Sequence, residues 1–222
     1  MNLVSVITTF KNSQETISDT IKSVLNQTYK NFEYILIDDG SEDHSLKISR
    51  SFDDKRIKIL EPGYIGRANA LNEAVKISKG KYIAIIDADD LCIKNRLEKQ
   101  IEFCTKNNKD FVAANSILIN FQGNCIGQTN FVAEKSFLKE RILEMNPFAH
   151  SSILIKKTIL EEIGKYDNFF EKSIDFNMYL QMIIAGHELN LIEEPLIKLR
   201  VYEASWGKSD SKYSQFFFGF FG

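Results

Sequence analysis

A chain of 222 residues with 44% apolar side chains has the material for a proper core, in one large domain or one and a half small ones. Its formal net charge of −2 gives no basis for nucleic-acid binding. No stretch approaches the roughly 20 apolar residues of a membrane span, and residues 3–9 are too short and lack the basic flank of a secretory signal. Cys92, Cys104 and Cys125 have no metal-ligand spacing; they suit a reducing, cytoplasmic setting and read as small buried hydrophobes.

In chain order, residues 3–9 (LVSVITT) predict a first strand. Asn12, with Glu15 three residues on, reads as a capping box for a helix whose inner face is Ile17, Ile21, Val24 and Leu25. Phe32–Asp38 (FEYILID) is a second strand, running into Asp38-Asp39-Gly40-Ser41. Ser41 or Asp43 caps a short helix to about residue 52, and Ile57–Leu60 is a third strand. Residues 63–66 form a loop, and 67–78 a helix with Ala70, Leu71, Ala74 and Val75 inward. After Gly80, residues 82–86 are apolar without alternation, the pattern of a strand covered on both faces.

This β-α-β-α-β-α-β order argues for a parallel sheet with right-handed crossovers. Parallel strands end on one side, so the polar loops 9–12, 38–41 and 87–90 converge at the edge where open α/β folds bind ligands. The last loop holds Asp87, Asp89 and Asp90. Neighbouring carboxylates repel, and a cation offsets this. Oxygen ligands suit Mg2+ or Mn2+, typically held by one or two carboxylates plus substrate phosphates. The same loop also reads as an acidic cap for the helix beginning near Lys94. Neither GxGxxG nor a P-loop is present, so a nicotinamide, flavin or P-loop site is not supported.

Beyond Asp90 the pattern changes. Residues 95–107 predict an amphipathic helix, 111–121 a long strand, and 122–124 a hairpin turn into 125–131. A surface helix over 134–145, a strand over 151–155 and a helix over 158–163 closed by Gly164 follow. Residues 175–185 form a helix ended by Gly186, and 189–199 contain a last strand in which Pro195 implies an edge or a break. This half reads as a mixed extension of the first sheet, within one domain: 1–90, 91–205 and a terminal segment, 206–222. That segment places five phenylalanines in the six residues 216–221. Exposed, they favour association with a membrane or partner; otherwise they start a longer helix or pack back on the domain.

The ordered series Val4-Ser5-Val6-Ile7 to Asn12, Ser23-Val24-Leu25-Asn26-Gln27-Thr28-Tyr29, Asp38-Asp39-Gly40-Ser41, Gly66-Arg67-Ala68-Asn69-Ala70-Leu71-Asn72, Gly80 to Asp90 and Gly164-Lys165-Tyr166-Asp167 resembles the family 2 glycosyltransferases, to about residue 205. The resemblance implies the GT-A nucleotide-sugar fold and an inverting transfer from a UDP-sugar to a glycan or lipid-linked acceptor. It implies surface polysaccharide synthesis at the inner membrane face. It places uracil against Thr9, Phe10, Asn12 and Asp39, Arg67 near the nucleotide and Asp87 near the ribose, with Ala88 of the same motif among the nucleotide-binding residues. Asp89 becomes the ligand of Mn2+ or Mg2+ on the diphosphate, where the ion offsets charge on the leaving UDP. Lys11 stands where the family usually has an aromatic residue. The general base that an inverting transfer needs maps to Asp175, with Ile174 in place of the usual glutamate. Asp175 also reads as a plain helix N-cap, and Arg67 as a solvated helix-start arginine. His150, Arg200 and Trp206 are secondary candidates; His44 and His187 read as surface residues. Two other classes stay open: a catalytically inactive nucleotide-binding scaffold, for which Ile174 speaks, and a nucleotidyltransferase, which lacks its expected Gly-rich basic opening loop.

Overall fold

Four parallel strands build the first half: β1 (Val4–Phe10), β2 (Phe32–Asp38), β3 (Ile57–Leu60) and β4 (Tyr82–Ile85), side by side in the order β3-β2-β1-β4. The second half adds β5 (Leu91–Cys92), β6 (Phe111–Ile119), β7 (Cys125–Gln128), β8 (Leu154–Lys156) and β9 (Leu191–Arg200). They continue the sheet beyond β4 as β8-β6-β9-β5, with β7 paired to β6. β8 is antiparallel to β4 and β6, whereas β9 runs parallel to β6. This computed structural model describes residues 2–134, 138, 141–142, 146–170 and 173–202. Trp206, the phenylalanine-rich end and most of the predicted 134–145 helix lie outside the described residues; Leu138, Arg141 and Ile142 are helical, and Leu138 and Ile142 are buried.

The non-alternating strands follow from helices on both faces. Ile7, Ile35, Ile37, Ile83 and Ile85 face α3 (Arg67–Ile77) in one apolar cluster. Val6, Tyr34, Leu36 and Ala84 join Ile17, Ile21 and Val24 of α1 (Ile17–Leu25) in the other. The period-2 alternation of a strand sends successive residues to opposite layers. Gly80 lets β4 enter this sheet: a Cβ there would lie 2.4 Å from Ser5 N, beside the Ser5 Oγ that accepts the Gly80 N–H.

Several predicted details are corrected. Asn12 is not the cap of α1, which begins five residues later with Thr16 before it. Its φ of 52° turns it toward the next loop, where its Oδ1 accepts the Glu42 N–H and its N–H donates to Ser41 Oγ. Asp43, not Ser41, supports the start of α2 (Ser45–Arg50), accepting the Ser45 N–H at 2.8 Å. Ser151 and Ser152 lie in a 3-10 turn, His150–Ser152, because the Ser151 hydroxyl is engaged by the acidic loop, and β8 starts only at Leu154. Pro195 marks a break: opposite it, at Asn115, the β6–β9 register slips. Cys92 and Cys104 are buried as expected, but Cys125, on outlying β7, is exposed. α4 (Arg96–Lys106), α5 (Lys157–Glu162) and α6 (Ile174–Ile184) complete the labelled helices, and among the described residues no helix is long and apolar enough to cross a membrane.

Candidate active site

The carboxyl ends of β1, β2 and β4 border a cleft of about 520 Å³. Thr9, Phe10, Asn12, Asp39, Arg67, Asp87, Ala88 and Asp89 all line it, joined by Lys11, Phe121 and Tyr202. Asp175 does not line it.

At one end, Asp39 is 6% exposed, and its N–H donates to Phe10 O, fastening the tip of β2 to that of β1. Its Oδ1 accepts the N–H groups of Ile65 at 2.7 Å and Gly66 at 3.0 Å, which fixes the loop before α3. Gly40, at φ 77°, has room for no Cβ, because Tyr64 N would lie 2.9 Å away. Phe10 packs into the core, while the Lys11 ammonium lies 3.8 Å from the ring centroid of exposed Tyr64.

At the other end the acidic loop is wired residue by residue. Arg67 Nη2 meets Asp87 Oδ1 at 2.5 Å and reaches His150 Nδ1 at 3.3 Å. Burial works against the Asp87 charge, but Arg67 and then His150 outweigh it and hold the carboxyl below the usual range. His150 is buried, and burial pulls its pKa down against the attraction of Asp87. A neutral ring facing a donor-only guanidinium must accept at Nδ1, so Nε2 carries the proton toward Tyr166 Oη, 2.9 Å away. His150 is thus a satisfied structural histidine, as its sequence setting favours.

Asp89 and Asp90 diverge. Asp90 is 1% exposed; it accepts the Ser151 hydroxyl and, at 2.8 Å, the Arg200 N–H. Burial and the two neighbouring carboxylates push its pKa well up. It is a tie between loops, not a group facing the cleft. Asp89 faces the cleft and accepts the Tyr202 hydroxyl at 3.0 Å, while Arg200 Nε holds its carbonyl. Burial and the Asp87 charge raise its pKa, so a cation placed here would relieve it. Thr20 Oγ1 bonds the carbonyls of Ala88 and Asp90 at 2.9 Å, which anchors the loop to α1.

Among the described residues no three His, Cys, Asp or Glu side chains form a metal cage. With Asp87 paired to Arg67 and Asp90 buried, the donor set fits an ion shared between Asp89 and a ligand's phosphates, as Mg2+ is usually held. Asp175 is the second residue of α6, after Ser173 at the cap, so its reading as the N-cap is corrected. Its Oδ2 accepts Asn146 Nδ2 at 2.7 Å, and its charge acts on Arg67, His150 and Tyr166. Ile174 is buried in the core, which explains an apolar residue there. Sequence reasoning missed Ser151 and Thr20, whose hydroxyls hold the acidic loop; neither carries a motif.

A mostly parallel sheet with this acidic carboxyl edge, extended by a mixed second half, is the GT-A architecture of nucleotide-diphospho-sugar transferases. Residues 5–164 match the profile of Glycosyl transferase family 2, and the chain belongs to that family. It is 33% identical over 209 residues to the uncharacterized glycosyltransferase MJ1057 of Methanocaldococcus jannaschii, covering 90% of this chain and 71% of that one. It is 38% identical over 159 residues to the UDP-Glc:alpha-D-GlcNAc-diphosphoundecaprenol beta-1,3-glucosyltransferase WfgD of Escherichia coli, covering 71% of this chain and 62% of that enzyme. The fold matches S. aureus TarS 1-349, solved with UDP-GlcNAc, at a TM-score of 0.76 and 17% identity, over 96% of this chain and 61% of that one. The chain therefore spans about three fifths of the glucosyltransferase and of the solved structure.

Proposed function

We propose that this chain transfers a sugar from a UDP-sugar to a glycan or lipid-linked acceptor, with inversion, in surface polysaccharide synthesis. The observation that carries this reading is that one cleft is lined by Asp39 at one end and by the Arg67–Asp87 pair and Asp89 at the other. Asp39 receives the uracil N3–H, with Thr9, Phe10 and Asn12 shaping that end. Asp87, held by Arg67, meets the ribose beside Ala88. Asp89 holds Mn2+ or Mg2+ on the diphosphate; a divalent ion there offsets charge on the departing UDP. Asp175 takes the proton of the acceptor hydroxyl. Its charge acts on the Arg67–His150–Tyr166 group behind Asp87, so it lies near the cleft without lining it. Residues 1–90 bind the donor and 91–205 the acceptor.

The E. coli relative is named for a diphosphoundecaprenol-linked acceptor, which supports a lipid-linked acceptor here, and action on such an acceptor would take place at a membrane face. The phenylalanine-rich segment suits peripheral contact there.

Calorimetry of UDP with Mn2+ and with chelator tests the donor site. Wild type is expected to bind at least tenfold more tightly with Mn2+, and Asp89→Ala to lose that difference. Equal affinity in all arms sinks the metal role. Incubation with labelled UDP-sugars and a lipid-linked acceptor, beside a parallel one with UTP and a sugar 1-phosphate, then separates the classes: UDP release with acceptor growth supports transfer, pyrophosphate release from UTP points to a nucleotidyltransferase, and binding without turnover in either points to a scaffold.

A further inference from the structure

Lys11 replaces the aromatic residue expected beside the base, and Phe10, only 3% exposed, is committed to the core. The other aromatic residues lining the cleft, Phe121 and Tyr202, pack on each other, and Tyr202 is bonded to Asp89 at the opposite end, so neither is at the Asp39 end. We propose that Tyr64 supplies the stacking surface there, exchanging Lys11 for the base of the donor; this rests on the UDP-sugar reading above.

Tyr64 is 72% exposed, yet its position is fixed. The two following N–H groups, of Ile65 and Gly66, are bound to Asp39 Oδ1, and its own backbone nitrogen packs against side-chain-free Gly40. The loop therefore holds a large aromatic ring in solvent, one residue before the N–H groups that bind Asp39; the ring does not line the cleft itself but meets it through Lys11. Lys11 lines the cleft and carries its ammonium 3.8 Å from the ring centroid, about where a stacked base would lie. An exposed cation–π contact is weaker than base–aromatic stacking, so the exchange favours the base. Stacking makes no demand on the phenolic hydroxyl, and it adds nothing to the diphosphate end.

The test is calorimetry on the full chain with two probes, UDP and inorganic pyrophosphate, both with Mn2+. Tyr64→Ala is expected to weaken UDP by roughly 5- to 100-fold, from the usual worth of one stacked base. Pyrophosphate affinity should not change, and Tyr64→Phe should restore UDP binding. Tyr64→Ala binding UDP like wild type, or losing pyrophosphate equally, overturns the inference while the donor reading stands. Wild type failing to bind UDP overturns both.

Discussion

Asp89 and Asp90 are adjacent, yet their partners give them different work. Asp90 is closed in by Ser151 and the Arg200 N–H, while Asp89 keeps its carboxylate on the cleft wall. The sequence pattern of a non-alternating strand ending in acids was enough to place Asp87 and Asp89 at the sheet edge. It could not separate Asp89 from Asp90, because the partners that do so lie 61 and 110 residues further along the chain. Asn12 shows the converse: its side chain has the chemistry of a cap, but a positive φ and two hydrogen bonds to the neighbouring loop take it elsewhere. Asp175 is the residue whose proposed role is most open to direct test. Asp175→Asn leaves an amide oxygen for Asn146 to donate to, so the local fold is expected to persist. A lost general base lowers turnover by about 10²–10⁴-fold, or roughly 3–5 kcal/mol of barrier, while UDP affinity stays within about threefold. Steady-state kinetics beside calorimetry measure both, and near-normal turnover would reduce Asp175 to a partner of Asn146.

Elements are legible where burial alone decides them. β2 matches its predicted bounds because all seven of its residues are buried between two helical layers; β3 matches as well, although its four residues are only half-buried at the sheet edge. β5, two residues long, has no periodicity to detect, and the 3-10 turn at His150–Ser152 runs directly into the apolar Ile153-Leu154-Ile155, so a strand read from that run takes in Ser151 and Ser152. Between elements, the opposite edge of the sheet from the cleft is knotted around Glu33 of β2, 8% exposed. Its carboxylate accepts Ser5 Oγ of β1 at 2.6 Å, Lys58 Nζ of β3 at 2.5 Å and the Lys79 N–H before β4 at 2.5 Å. Burial opposes its charge, but Lys58, Ser5 and the Lys79 N–H together hold its pKa below the ordinary value. A depressed carboxyl contributes stability that is present above the unfolded pKa, about 4.3, and is lost as pH falls through the lower folded value. Glu33→Gln is therefore expected to cost about 1–3 kcal/mol at pH 7, since donors are left poorly paired. Urea unfolding should show the gap to wild type narrowing as pH falls below about 4. A gap that stays constant down to pH 3 would mean the carboxylate's charge contributes nothing.

At the scale of the molecule, the parallel half and the mixed half meet at the β4–β8 seam, directly behind the acidic loop. The group that crosses this seam is Arg96, at the start of α4 and 0% exposed. Its Nη2 donates at 2.9 Å to the carbonyls of both Ile85, at the end of β4, and Ile153, just before β8. Nε and Nη1 reach Gln100 Oε1 and Cys92 Sγ, so these four partners are neutral. Nothing in the sequence separates Arg96 from a solvated helix-start arginine, since its burial is created only when the two halves close on it. The planar fork is what spans two carbonyls at once, and a single ammonium does not reproduce it. Arg96→Met removes a donor from the Ile85 carbonyl and from the Gln100 amide oxygen in the core and leaves the Ile153 carbonyl with only the Ile85 N–H at 3.4 Å, at about 1–3 kcal/mol for each group left unsatisfied. Arg96→Lys keeps the charge without the fork. Both are expected to lower unfolding stability by about 3 kcal/mol or more, a large share of the 5–15 kcal/mol typical of a domain. Both should also weaken UDP–Mn2+ binding at temperatures where the variants remain folded, because Ile85 leads into the strand end that carries Asp87 and Asp89. Urea titration gives the first quantity and calorimetry the second. If Arg96→Met unfolds within 0.5 kcal/mol of wild type, the usual scatter of surface substitutions, the seam is held by the apolar clusters alone and Arg96 is a passenger in it.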